Sequence, residues 1–157
     1  MVKVSSKFIL VAKDSTVDAN DNMLSISKVI DNFNFELDIK EFQRTISSSE
    51  NGTVGIQVTP FVLITSWHFD KKLDEEYPVV LKINIIAPGN KIHTGEKLRF
   101  TIPRGLDNIN LNVNFSDLPV SSSGNHEFQA TLYDVSDKKL ASATYPFTIN
   151  ITEVNQK

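Results

Sequence analysis

Apolar and polar residues alternate with a period of two along most of this chain. Phe33, Phe35, Leu37 and Ile39 alternate with Asn34, Glu36, Asp38 and Lys40, and Leu98, Phe100 and Ile102 alternate with Lys97, Arg99 and Thr101. Ile109, Leu111, Val113 and Phe115 alternate with four asparagines, and one parity stays largely apolar from Ala141 to Ile151. A strand points successive side chains to opposite faces, so this rhythm is that of half-buried strands. No window of eleven or more residues fits the helical spacing equally well, and helix is expected to be nearly absent. The pattern predicts about nine strands, near 5–13, 23–31, 33–46, 53–69, 79–87, 96–102, 108–115, 126–134 and 140–151.

Turn residues separate these runs. Asp21-Asn22 divides the first two strands, Pro88-Gly89-Asn90 ends a strand, Ser121 to Asn125 forms a Ser/Gly loop, and Asp137-Lys138-Lys139 turns the last hairpin. Asn51-Gly52 carries a type I′ hairpin signal, because both central residues of that turn take φ > 0. The stretch from Ile39 to Val58 is the least regular and is expected to be an exposed, mobile hairpin insert. Pro60 and Pro78 are placed at strand openings, Pro88 and Pro103 at strand ends and Pro119 in a loop. Pro146 falls inside the last alternating run, so that strand should lie at an edge or be broken there. Many short strands without intervening helices predict an all-β fold. It is read as a single antiparallel β-sandwich of immunoglobulin-like or Greek-key type. Phe8 to Ala12 and Phe61 to Ile64 are apolar at both parities, so they must be covered on both faces or meet a partner on one.

Size and composition narrow the function classes. At 157 residues the chain fits one domain, 1–157, able to bury roughly 68–70% of its unfolded surface without a metal or disulfide. It holds no cysteine, which excludes disulfides, thiolate metal sites and thiol nucleophiles. Sixteen basic and 19 acidic residues leave a net charge of −3, without the clustered basic excess that phosphate binding demands. No apolar run is long enough for a secretory signal or a membrane span. A soluble, cytoplasmic protein without nucleic-acid or membrane partners is expected.

One stretch of the sequence carries a resemblance. INLNVNFSDLPVSSSGNHEFQATLYDVSDKKLASATYPFTI runs strand, Leu-Pro loop, Gly-x-x-x-Phe strand, turn and Pro-Phe strand, and FILVAKDSTVDANDNMLSISKVIDNF opens the chain. Together they resemble a family of short bacterial β-sandwich proteins classed as a domain of unknown function. The resemblance covers about two-thirds of the chain and implies an immunoglobulin-like fold, with no activity and no functional residues to carry over. Ile39 to Val58 has no counterpart in it.

Candidate chemistry is sparse. His68, His93 and His126 lie in separate regions, without metal-ligand spacing between them. The serines cluster in loops at Ser47 to Ser49 and Ser121 to Ser123, and no G-x-S-x-G elbow occurs. Asp18, Asn20 and Asn22 match the first three ligands of a calcium loop, but Met23 and Val29 stand where its glycine and bidentate glutamate belong. Glu75 and Glu76 flank lysines in a connecting loop, where solvation explains them. No catalytic residue, metal ligand or cofactor is therefore assigned. Sequons at Asn51, Asn114 and Asn150 would be idle in a bacterial cytoplasm.

The asparagine row Asn108, Asn110, Asn112 and Asn114 stands out. A strand places all four on one face as a ladder of amide donors and acceptors. That face is the candidate for a ligand or partner, against the plain alternative that AT-rich coding supplied solvent-facing asparagine. The sequence favours a non-enzymatic protein-interaction module of a bacterial or phage protein, with self-association through edge strands open to it. A carbohydrate-binding module using the asparagine face with Trp67 or Tyr133 as a stacking platform is one alternative, and a phage or virion structural domain is another.

Overall fold

The computed structural model describes residues 2–17 and 24–154. Among these residues nine strands form two facing sheets: β1 (Val4–Val17), β2 (Leu24–Val29), β3 (Asn32–Leu37), β4 (Val54–Phe69), β5 (Tyr77–Ala87), β6 (Lys91–Ile102), β7 (Asn108–Val120), β8 (Gly124–Asp134) and β9 (Lys139–Glu153). One sheet has the order β2-β1-β4-β7, the other β3-β9-β8-β5-β6. All pairings are antiparallel except β3 with β9. The chain crosses between sheets after β2, β3, β4, β6 and β7, the Greek-key habit of an immunoglobulin-like sandwich. The all-β sandwich expected from the two-residue period is the fold found.

The alternating parity fills the space between the sheets. Leu63, Trp67 and Phe69 of β4 face Leu81 of β5, Phe128 and Leu132 of β8 and Ile149 of β9, all essentially inaccessible. A phenylalanine cluster ties the sheets together. Phe61 of β4 stacks on Phe115 of β7 at 5.2 Å, Phe128 on Phe147 of β9 at 4.5 Å, and Phe33 of β3 lies 5.1 Å from Phe61. The two doubly apolar runs are neighbours, with Leu10 opposite Ile64 and Ala12 opposite Val62. On the outer face Ala12, Val62 and Ile64 form a second small cluster, closed over by Phe8, Leu10 and Leu24. The β1–β2 hairpin thus supplies the second cover these strands require.

Four local expectations are corrected. Residues 39–48, placed partly in a strand and partly in a mobile insert, form helix α1 (Ile39–Ser48). Asp38 caps it, its carboxylate accepting the Glu41 N–H at 3.1 Å, and Ile39, Phe42 and Ile46 line its half-buried face. The alternation continues through Leu37 to Ile39, across the point where the backbone changes from strand to helix. Asn51-Gly52 makes no I′ hairpin, because Gly52 has φ of +65° and Asn51 does not share the sign; the pair joins α1 to β4. Pro60 sits within β4 at the irregularity between Gln57 and Phe61, and Pro119 lies inside β7 opposite Gly55. β7 is an edge strand, where a missing N–H costs no ladder bond. Pro146 is tolerated because β3 pairs with β9 only from Thr148 onward, leaving residue 146 without a ladder partner on that flank of β9. Asp18, Asn20 and Asn22, compared above with a calcium loop, lie outside the described residues together with Met23 and the Asp21-Asn22 turn.

Candidate interaction surface

Each sheet has two edge strands, and protein edges are ordinarily kept short or charged to prevent pairing with other chains. Among the described residues β2 and β3 have 6 residues each. β6 is longer but carries Lys91, Glu96, Lys97 and Arg99, with a register shift in its pairing to β5. β7 differs from all three. It runs for 13 residues and contains one charged side chain, Asp117, with none between Asn108 and Phe115. Alternate N–H and C=O groups of an edge strand point away from the sheet. Among the described residues no backbone bond runs from β7 to anything beyond its partner β4.

The asparagine row stands on the outer face of this edge, with all four side chains exposed. They continue the outward parity of β4, with Asn108 opposite His68, Asn110 opposite Ser66, Asn112 opposite Ile64 and Asn114 opposite Val62. Asn108 is committed within the fold, donating to Asp107 at 2.9 Å and sharing a 3.1 Å bond with the His68 imidazole. Asn112 reaches the Ser15 hydroxyl at 3.4 Å. Asn110 and Asn114 have no side-chain hydrogen-bond partner among the described residues.

Behind β7, on the open side of the sandwich, a slot of about 410 Å³ separates it from β6. Its floor includes Ile83, Ile85, Val113 and Phe115, and its rim carries Glu96 and Asp117. One end is tied by His93 of β6, whose Nε2 lies 3.1 Å from the Ser121 hydroxyl after β7. Residues far apart in sequence make this Ser–His pair, which spacing alone did not reveal. No carboxylate orients His93 among the described residues, so the pair bridges the two edges without the third member that activates a serine.

The remaining candidates are dispersed. His68 is exposed on β4, while His93 and His126 are buried on neighbouring parts of the other sheet. Burial pushes both buried imidazoles below the ordinary 6.5. Lys91 and then His126 add to the effect at His93, whereas a bond to the Gly124 carbonyl opposes it at His126. His126 Nδ1 is 2.9 Å from that carbonyl and its Nε2 is buried without a partner among the described residues. A depression of about 810 Å³ beside it includes Asp31, Glu127, Tyr145 and Pro146. Burial first, and the Asp31 carboxylate second, raise the Tyr145 phenol, whose hydroxyl donates to the Ile30 carbonyl at 2.8 Å. Glu75 and Glu76 are exposed in the β4–β5 loop. Trp67, offered as a stacking platform, is fully buried, its indole N–H donating to Thr65 at 2.9 Å. Tyr133 is half-buried on β8. No group of three or more metal-binding side chains converges among the described residues, and no helix there is long and apolar enough to cross a membrane.

No family model and no curated protein matches the chain. It is similar to the solved structure of an immunoglobulin-like protein from Pseudomonas aeruginosa at 11% identity, covering 96% of this chain and 97% of that one, with a TM-score of 0.39. An alkylpurine DNA glycosylase from Pseudomonas fluorescens gives 8% identity, 95% coverage of this chain and a TM-score of 0.45; the chain spans 30% of that protein. A β-glucosidase from Listeria innocua gives 4% identity, 98% coverage and a TM-score of 0.44, with 16% of its own length spanned. These likenesses assign no residue a role. The bacterial family of unknown function expected from the strand-and-turn pattern has no matching model, and the description that stands is the all-β sandwich given by the strands themselves.

Proposed function

We propose that the protein is a non-enzymatic interaction module that binds protein through the β7 edge, with Asn108, Asn110, Asn112 and Asn114 flanking the contact. The observation that carries this reading is the contrast among the four edges: two are short, one is charged, and β7 is neither. An extended segment laid along β7 gains main-chain hydrogen bonds, and the exposed amides beside it supply polar selectivity. The fixed scaffold favours this mode, because β7 is anchored through Phe115 into the phenylalanine cluster and needs no ordering before it binds.

Lysine at an edge strand opposes further pairing. Capture experiments from native lysate should therefore be run with the natural chain and with an Asn110→Lys/Asn112→Lys variant. Proteins bound by the natural chain and lost by the variant, at unchanged circular dichroism, are expected. Identical capture by both would contradict the role of β7.

A further inference from the structure

The asparagines of β7 are arranged symmetrically about Leu111: Asn110 and Asn112 are its immediate neighbours, and Asn108 and Asn114 lie equally far to either side. A second β7 laid antiparallel with Leu111 facing Leu111 puts Asn108 opposite Asn114 and Asn110 opposite Asn112. Every amide then meets an amide. Asparagine carries donors and an acceptor on one side chain, so it can satisfy its own kind, whereas a lysine or glutamate row would oppose itself with like charge. The same register sets Asp117 opposite Gly105 and Asp107 opposite Phe115. Centring on Asn112 would face Asp117 with Asp107. Buried side chains follow alternate positions through Leu111 and Val113, but the parity changes before Leu118, so the regular ladder matches the stretch that the Leu111 register pairs.

We infer that β7 pairs with β7 of a second copy of this chain, antiparallel about Leu111, joining two four-stranded sheets into one of eight. This rests on the reading of β7 as the docking edge and names its occupant. β6, the other long edge, is less suited to self-pairing because antiparallel registers centred on Thr94, Gly95, Lys97 or Leu98 set two basic side chains against each other. A ladder of this length buries less than a standard interface, so the association is a concentration-dependent equilibrium between monomer and dimer.

Sedimentation equilibrium of the full chain over a concentration series tests it. The natural chain should shift from monomer to dimer. Asn110→Lys/Asn112→Lys, which sets lysine against lysine, should weaken the dimer by about tenfold or more with an unchanged melting temperature, while the control Thr101→Lys on β6 should leave it intact. Because the chain has no cysteine, single variants also read the register. Asn110→Cys mixed with Asn112→Cys should form a mixed disulfide in preference to either self-linked dimer, as opposed positions lie within bridging distance. A natural chain that stays monomeric throughout overturns self-pairing; loss of lysate capture by the lysine variant would then preserve β7 as an edge for a different protein. A dimer that Thr101→Lys dissolves and Asn110→Lys/Asn112→Lys spares also overturns it, as does indiscriminate cross-linking.

Discussion

Phe128 touches Phe61, Phe115 and Phe147 and has no exposed surface. Replacing it with alanine removes the ring that joins the sheets, and Phe128→Ala should cost about 3–5 kcal/mol in chemical denaturation. Thr65 holds a smaller knot, donating to the Leu111 carbonyl at 2.7 Å while accepting from Trp67. Thr65→Val keeps the shape but strands the indole N–H, and a loss of about 1–3 kcal/mol is expected by the same measurement. The buried histidines give a pH dependence. Their folded values lie below the ordinary 6.5, so the unfolded chain binds protons more readily and stability rises with pH across that interval. Melting temperature should be level above about 6.5 and fall as the pH is lowered from there through the depressed values. His126→Phe should flatten part of this slope; an unaltered slope would contradict the assignment to His126. At this scale the sequence was a partial guide. Trp67, offered as a stacking platform, shares the parity of Leu63 and Phe69 while Ser66 and His68 take the other, so the alternation itself pointed to the interior where the structure buries it.

The strands were legible because each obeys one periodicity over its own length, without reference to the rest of the fold. Helix α1 was not. At 10 residues it is shorter than the window in which a helical period declares itself, and Leu37 and Ile39 continue the alternation of β3 across the boundary. Its signals were local: Asp38 followed by Glu41 at the start, and Ile39, Phe42 and Ile46 on one face. The end is weak, since Thr45, Ser47 and Ser48 turn their hydroxyls back onto helix carbonyls. Asp38→Ala should therefore cost about 1 kcal/mol locally. Because no residue of α1 is fully buried, the change should appear as faster amide exchange over 39–48 with the sandwich transition barely moved. A collapse of global stability would mean that the helix holds the sheets together.

Strand order lay beyond the sequence, since it depends on which strands meet across the sandwich. Pro146 shows the limit: the residue pointed to an edge or a break, and the structure gives a strand flanked by β3 for only part of its length. The asparagine row was visible as a face, but its place at an edge required the order β2-β1-β4-β7. In the proposed function, edge position makes the polar row a docking surface, because unpaired backbone stands beside it. Residue-resolved amide exchange along β7 tests that claim most directly. Between Asn108 and Phe115 every second amide should exchange freely in dilute protein, its neighbours remaining protected by β4, and the free set should become protected as the edge is occupied at higher concentration. Uniform protection of the whole stretch in dilute protein would show that β7 has no open edge, and would contradict the account.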